Sequence, residues 1–467
     1  MGMIETDYLV VGAGASGMAF ADDLLAHSDA EVVLVDRRDR PGGHWHDAYP
    51  FVRLHQASAN YGVNSRALGS NAIDVAGSNA GFYERATGAE IVDYFGRVLD
   101  EHFLPSGRVR FLGMHDYVGD WSGEHAAVCR VTGASTTVRV RRRIVDTTYL
   151  DVQVPATHTP AFTVDPGTRL IPVGGLVDLG RAPGGFTVLG AGKTAMDACT
   201  WLLDHGVDPD RICWVRPRDV WMFDRAGVQP LDLLPETMTA MALWVESLAA
   251  AESVPDLLAR VESCEQLFRL DPTVEPDAFR GAILSRAEIT GLGQIERVIR
   301  QGRIRRLGTD RIVLDSGEVA ADPGTVFVDC TASGFRWAPP VPIFAPGRIV
   351  LQSLIGGYTT QYAALVGFVE AGYDDDVERN RLCPPVPQVT LPLDWVATVR
   401  GFLRVAALHA EEPELTRWAE QARLSFSCGL AQRLGDPRLA AALGRWAASA
   451  ELALVNAEKF LAGSDRM

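Results

Sequence analysis

The sequence predicts an α/β fold of two Rossmann-like dinucleotide-binding domains, the first interrupted by the second, with a helical insert and a helical C-terminal region. Three observations carry that expectation. Two short apolar runs, Asp7-Tyr-Leu-Val-Val-Gly12 and Gly185-Phe-Thr-Val-Leu-Gly190, read as buried strands. Each turns directly into a glycine loop and a helical pattern, Gly12-Ala-Gly14-Ala-Ser16-Gly17 and Gly190-Ala-Gly192-Lys193-Thr194-Ala195. Both match GxGxxG/A, the dinucleotide-binding fingerprint. Two later runs, Arg143-Ile-Val-Asp-Thr147-Thr148-Tyr149 and Val326 to Gly334, end in small or hydroxyl residues, where a chain can cross between domains.

In the first unit each glycine has its own task. Gly12 permits the tight turn out of the strand, Gly14 lets the backbone approach a pyrophosphate, and Gly17 lets the helix lie close to the sheet. The helix through Phe20, Leu24 and Leu25 offers free N–H groups and a partial positive charge at its start. A second apolar run, Glu31-Val-Val-Leu-Val-Asp36, ends in an acid 19 residues after Gly17, placed to accept ribose hydroxyls.

The second unit continues through a helix at Met196, Cys199, Trp201 and Leu202 and a strand at Arg211 to Val215. No acid closes that strand. Arg216 and Arg218 stand there instead, which favours the 2′-phosphate of NADP over the ribose of NAD; a pair of merely solvated arginines is the alternative. Residues 1–150 and 326–390 are expected to form one domain and residues 151–325 the inserted second. Residues 231–299, with Met238, Met241, Leu243 and Trp244 at helical spacing, exceed an ordinary connection and read as a helical insert. Residues 391–467 read as helical, with Leu439, Leu443, Trp446 and Leu452 as a packing stripe.

Composition narrows the function classes. The 467 residues carry 44 Lys plus Arg against 59 Asp plus Glu, a net charge of −15, which argues against nucleic acid as a partner. Seven cysteines, scattered and never in a CxxC pair, support neither a disulfide framework nor a metal site. A reduced, cytoplasmic protein is the expectation, since the first strand starts too early for a signal peptide and no run of about 18 apolar residues suggests a membrane span.

Past Asp36 the chain reads Arg37-Arg-Asp-Arg-Pro41-Gly42-Gly43-His44-Trp45. Here it resembles the class B flavoprotein monooxygenases, the superfamily of flavin-containing monooxygenases, Baeyer–Villiger monooxygenases and N-hydroxylases. The resemblance covers about residues 5–60, 140–220 and 300–370. It implies FAD on the first unit, at Gly12, Gly14, Ser16, Gly17, Asp36, Arg37, Gly43, His44, Trp45, Thr148, Gln361 and Tyr362. It implies NADPH on the second, at Gly190, Gly192, Lys193, Thr194, Arg216 and Arg218. Trp45 would wall the flavin pocket, or else is a core residue beside a glycine turn. A helix over Ala363–Glu370, following Gln352-Ser-Leu-Ile-Gly356-Gly357-Tyr-Thr359-Thr-Gln361-Tyr362, would point its N–H groups at the flavin pyrimidine.

A loose alignment places His55, with Gln56 beside it, where flavin-containing monooxygenases carry an asparagine near the flavin edge. Both are catalytic candidates, a histidine there serving to bond substrate or shuttle a proton; a structural histidine is the equal alternative. Three departures stand out. The FxGxxxHxxxW fingerprint is missing from the stretch Thr168 to Asp178, Lys193 replaces a small polar residue, and no Gly-Asp pair precedes the last helix of the first unit. The resemblance implies that NADPH reduces the flavin and a C4a-(hydro)peroxide formed with O2 oxygenates a small organic substrate, such as a natural product. That substrate would lie between the flavin and the 231–299 insert. A flavin dehydrogenase or oxidase without oxygen insertion is one alternative, and a non-catalytic nucleotide-binding protein another.

Overall fold

Leu9 and Val10 are wholly buried in the strand Gly2–Val11, the centre of the first sheet. The computed structural model describes residues 2–121, 123–354 and 358–463. Val32–Val35 and Ser135–Asp146 flank the central strand in parallel, with Val10 opposite Leu34 and Val11 opposite Asp146. Val109–Leu112 extends one side and Arg348–Val350 the other, both parallel. The antiparallel pair His115–Gly119 and His125–Cys129 attaches through Ser135–Asp146. Helix α1 (Ala15–His27) follows the first strand, and α2 (Gly88–Val98) starts at a capping box in which Thr87 and Glu90 satisfy each other's backbone N–H.

The second sheet is all parallel, in the order Val298–Ile299, Ile212–Val215, Gly185–Leu189, Thr325–Asp329, Leu170–Pro172. Its central strand leads into α3 (Lys193–Asp204). The strand at 325–329, expected from residue 326 to open the resumed part of the first domain, belongs to this sheet instead. The first sheet regains the chain only at Phe344–Ala345 and Arg348–Val350. Between the two lies an antiparallel pair, Val152–Gln153 with Gly334–Phe335, where the outgoing and returning crossings meet.

The insert is only partly helical. It holds α4 (Leu234–Ala250), α5 (Val254–Ser263) and α6 (Arg286–Leu292), but Leu267–Phe268 and Ala278–Leu284 pair with Val220–Asp224 in a three-stranded sheet. Ala278–Leu284 is apolar except at Arg280 and Gly281, a short run that periodicity alone does not separate from helix. Its Met- and Trp-rich face was expected to border a substrate. Trp221, Trp244 and Phe279 instead pack with Trp395 in a core shared with the C-terminal helices, Phe279 stacking on Trp395 at 5.2 Å.

Helix α7 (Thr359–Gly372) lies on α1, and α8 (Asp376–Leu382) follows. Gly367 makes that approach close, since a Cβ there would stand 2.5 Å from the Phe20 carbonyl oxygen. Tyr8 donates to Glu370 at 2.8 Å, and Arg143 pairs with Glu370 at 3.1 Å and Asp376 at 2.7 Å. The C-terminal region forms α9 (Pro392–Ala410), α10 (Pro413–Gln421) and α11 (Pro437–Ala462). On α11 the buried stripe runs through Leu439, Ala442, Ala453 and Ala457, whereas Leu452, expected within it, is exposed. Small residues there let α11 sit close against α4.

The C-terminal region is clamped to the first unit by polar bonds. Trp418 donates to Asp23 at 2.8 Å, Asn64 donates to the other oxygen of Asp23 at 2.8 Å, and Arg423 donates to the carbonyls of Tyr61 and Val63. Burial, with Asp22 adjacent, pushes the Asp23 carboxyl from its ordinary 3.8 up to about 7, against the pull of those two donors. A raised carboxyl pKa stabilises the fold fully below pH 3.8 and loses that contribution as pH rises through about 7. Asparagine cannot ionise. The melting temperature of Asp23→Asn relative to wild type is therefore expected to climb between pH 4 and pH 7; a pH-independent difference would show that Asp23 stays ionised in the fold.

Candidate functional site

Both glycine turns are built the same way. Gly12, at φ 104°, ends the first strand, and a Cβ there would strike the Thr147 hydroxyl at 2.3 Å. A Cβ on Gly17 would lie 2.1 Å from the Gly12 carbonyl oxygen, so only glycine lets α1 start this close to the strand. In the second fold a Cβ on Gly190 would come within 2.6 Å of the Cys330 carbonyl oxygen. Behind each turn an aspartate and a threonine two residues on close the neighbouring strand. Thr148 donates to Asp146 at 2.8 Å, and Thr331 donates to Asp329 at 2.6 Å.

Helices α1 and α3 both begin at a glycine N-cap, Gly14 and Gly192, with no side chain bonded to their first N–H groups. Those donors, with Ser16 and Thr194 half-buried in the first turns, are left for an anion. Asp36 is buried, one carboxylate oxygen accepting from the Ala13 N–H at 2.7 Å and the other from the Arg38 N–H at 2.8 Å. It thereby pins the glycine loop and keeps lone pairs for further donors. Arg37 is exposed, and Arg38 is the one committed inward, to Asp47.

Gly43 lies against Gly14, whose Cα would be 3.0 Å from a Cβ at Gly43. Trp45 donates to the Tyr61 hydroxyl at 2.7 Å, and His44 lies beside the Trp45 ring at 5.0 Å. Burial, with Arg38 near, pushes His44 down to about 4, so its imidazole is neutral at pH 7. His46 is turned to the Pro41 carbonyl at 3.0 Å. On α7 the Gln361 carbonyl oxygen and the Thr360 hydroxyl are buried without a partner, and Tyr362 is buried beside them. Gly356 and Gly357, just before this helix, lie outside the described residues.

At the second turn the two arginines separate. Arg216 is buried, stacked 4.9 Å over Trp214 and 3.3 Å from Asp219, so it serves the fold. Arg218 is half-buried, and with Arg303 it adds to burial in holding the Arg280 guanidinium below its ordinary pKa. Three arginines from separate segments thus gather past the end of the Ile212–Val215 strand.

Lys193, in the first turn of α3, pairs with Asp197, and Asp197 also accepts from the Tyr49 hydroxyl of the first unit at 2.6 Å. Phe51 stacks on Trp201 at 5.1 Å beside them. Burial raises the Asp197 carboxyl, but Lys193, His55 and its hydrogen bonds outweigh that and hold it below 3.8. His55 belongs to this junction: burial first, then Lys193, Arg85 and Arg225, push it down to about 4. Gln56 is spent on the Asn60 carbonyl at 3.0 Å. Arg85, Arg225 and Glu288, each buried, complete the cluster, with Arg225 2.6 Å from Glu288. No sequence motif marked these three; their signal was only charge inside apolar surroundings.

Among the described residues no group of three His, Cys, Asp or Glu side chains is placed to hold a metal, and no helix is long and apolar enough to cross a membrane. A family model described as an NAD(P)-binding Rossmann-like domain matches residues 10–71. The uncharacterized proteins Rv2000 of Mycobacterium tuberculosis and Mb2023 of Mycobacterium bovis are each 42% identical over 428 residues, covering 91% of this chain and 79% of theirs. Among solved structures, a flavin-containing monooxygenase from Stenotrophomonas maltophilia aligns with TM-score 0.45 and 15% identity over 78% of this chain and 98% of its own. Cyclohexanone monooxygenase from Rhodococcus sp. Phi1 bound to NADP+ aligns with TM-score 0.48 and 13% identity over 96% and 98%.

The turn geometry makes a direct demand. Gly17→Ala is expected to cost about 3 kcal/mol or more, because the clash is with backbone that cannot swing aside. Thermal unfolding of that variant measures it, and an unchanged melting temperature would show that α1 does not hold this position.

Proposed function

We propose a flavin-dependent oxidation for this chain, which belongs to one family with the mycobacterial proteins Rv2000 and Mb2023. The observation that carries the reading is the repeated pair of uncapped helix starts at glycine turns, Gly14 and Gly192, one fold reaching the other through Tyr49 and Asp197. FAD fits the first fold. The α1 N–H groups and the bare Gly14 and Gly43 backbone suit a pyrophosphate, and buried Asp36 suits a ribose. The unpartnered Gln361 and Thr360 side chains offer donors and acceptors to the polar edge of a flavin ring. Thr148 is exposed at the end of its strand and turned to Asp146, so its share is to hold that strand end against the glycine turn.

NADPH suits the second fold, with its pyrophosphate at the start of α3. Arg218, rather than the buried Arg216, is the residue for the 2′-phosphate. When bound, FAD supplies hydride acceptance and oxygen activation, which no side chain can. The chain's own part is to bind, to orient and to exclude water. Trp45 and Tyr61 hold each other as a wall, and the neutral His44 and His55 rings can exchange hydrogen bonds without adding charge. We assign the reaction to an NADPH-dependent monooxygenase acting with O2 on a small organic substrate. His55 is the candidate proton-handling residue; Gln56, held by Asn60, supports the loop that carries it.

The test is anaerobic mixing of the flavin-loaded protein with NADPH, followed by O2. Bleaching of the flavin band, then a delayed return to the oxidised spectrum with little hydrogen peroxide, is expected. Immediate return with stoichiometric hydrogen peroxide would favour an oxidase or dehydrogenase. No bleaching by NADPH or NADH would overturn the reading.

A second measurement separates the arginines. Arg218→Ala is expected to weaken NADPH binding about tenfold and leave NADH binding unchanged. Arg216→Ala is expected to lower the melting temperature instead, and an equal effect of Arg218→Ala on both coenzymes would remove the 2′-phosphate assignment.

A further inference from the structure

The junction between the two nucleotide folds holds more positive than negative charge. Lys193, Arg85 and Arg225 meet two carboxylates, Asp197 and Glu288, while His55 adds none. Lys193 is taken by Asp197, which Tyr49 also holds. That leaves two guanidinium groups on Glu288 alone. Arg225 is wholly buried; its Nη2 lies 2.6 Å from Glu288 and donates to the Ile283 carbonyl at 3.4 Å, but its Nε and Nη1 have no partner. Arg85 donates through Nη1 to the Leu54 carbonyl at 3.2 Å and stands 3.8 Å from Glu288, with its Nε unpartnered.

Glu288 cannot move to serve both. It is the third residue of α6 and closes that helix's capping box, accepting from the Ser285 N–H at 2.7 Å. A buried guanidinium left with unmade hydrogen bonds is costly, on the order of 1–3 kcal/mol per unmet group. Such a cost persists where a ligand removes it.

We propose that this junction receives a carboxylate of the substrate, held by Arg85 and Arg225 beside His55. The side chains named above carry one positive charge in excess, which matches a monoanion, and exposed Arg53, bonded to the Arg85 carbonyl at 2.9 Å, adds a further cation at the rim. A doubly charged pyrophosphate would overshoot it, and the free N–H groups of α3 already suit that group. The unpaired donors, Nε of both arginines and Nη1 of Arg225, act singly, one arginine to each oxygen of a carboxylate. His55, Lys193 and Asp197 are the half-buried members, so entry runs past the His55 ring. The substrate class is therefore a small organic acid. This deepens the monooxygenase reading and rests on it, but its test uses no turnover.

The test compares acetate with acetamide, the same shape without the charge, at concentrations on the order of 50 mM, reading the melting temperature of the flavin-loaded protein. Acetate is expected to raise it by about 2 °C or more beyond acetamide. Arg85→Gln is expected to erase that difference and Arg85→Lys to retain part of it, which separates lost charge from a damaged fold. Equal shifts with acetate and acetamide in wild type, or a difference that survives Arg85→Gln, would overturn the proposal. So would abolition of the acetate effect by saturating NADP+ together with a tenfold loss of NADP+ affinity in Arg85→Gln, because the cations would then serve the coenzyme phosphates. Failure of NADPH to bleach the flavin would leave this binding result standing, so the two readings fail separately.

Discussion

A carbon atom added at Gly17 would sit 2.1 Å from the carbonyl oxygen of Gly12, and that contact sets where α1 begins. The helix starts at Gly14, which has no side chain to cap it, so its first N–H groups are unspent. Asp36 and the Asp146–Thr148 pair then hold the turn from two sides. The second fold repeats the arrangement with Gly190 against Cys330 and with Asp329 and Thr331 behind it. Two anion-ready helix starts follow from glycine at each N-cap, not from any charged side chain.

Between them the chain concentrates charge. Loop residues Tyr49 and His55 of the first unit meet the first turn of α3, and Glu288 closes in from the insert, Arg225 from the turn before it and Arg85 from the segment before α2. Most of these groups are individually unfavourable so far from water. Their mutual pairing is incomplete, and the shortfall lies at the junction where two bound nucleotides would meet. The same junction carries the apolar contact of Phe51 on Trp201, so orientation of the folds and placement of the charges are one packing problem.

The rest of the chain holds that junction in place. Helix α7 is pressed on α1 by Gly367 and tied to the sheet through Glu370, Tyr8 and Arg143. The C-terminal helices reach back to α1 through Trp418 and Asp23 and to the 59–63 segment through Arg423. The insert spends its aromatic face on α9 and α11, and the turn before it brings Arg225 and Gln229 toward the first unit.

By itself the sequence determined what depends on local geometry. The two glycine turns, the acid at Asp36 and the crossing segments at 143–149 and 326–334 were all legible, because each is a short pattern whose physics needs no distant partner; the helix expected over Ala363–Glu370 is there too, but starts earlier, at Thr359. Only the tertiary structure decided which sheet each crossing strand joins: Thr325–Asp329 pairs with Gly185–Leu189, and hydrogen-bond partners so far apart in sequence leave no mark on either strand. It also split Arg216 from Arg218, burying one on Trp214 and leaving the other beside Arg280, a difference invisible in Arg-Pro-Arg. The cluster around His55 was hidden for the same reason. Arg85, Lys193, Arg225 and Glu288 come from four separate segments, and their chemistry exists only where burial forces them to share one small volume.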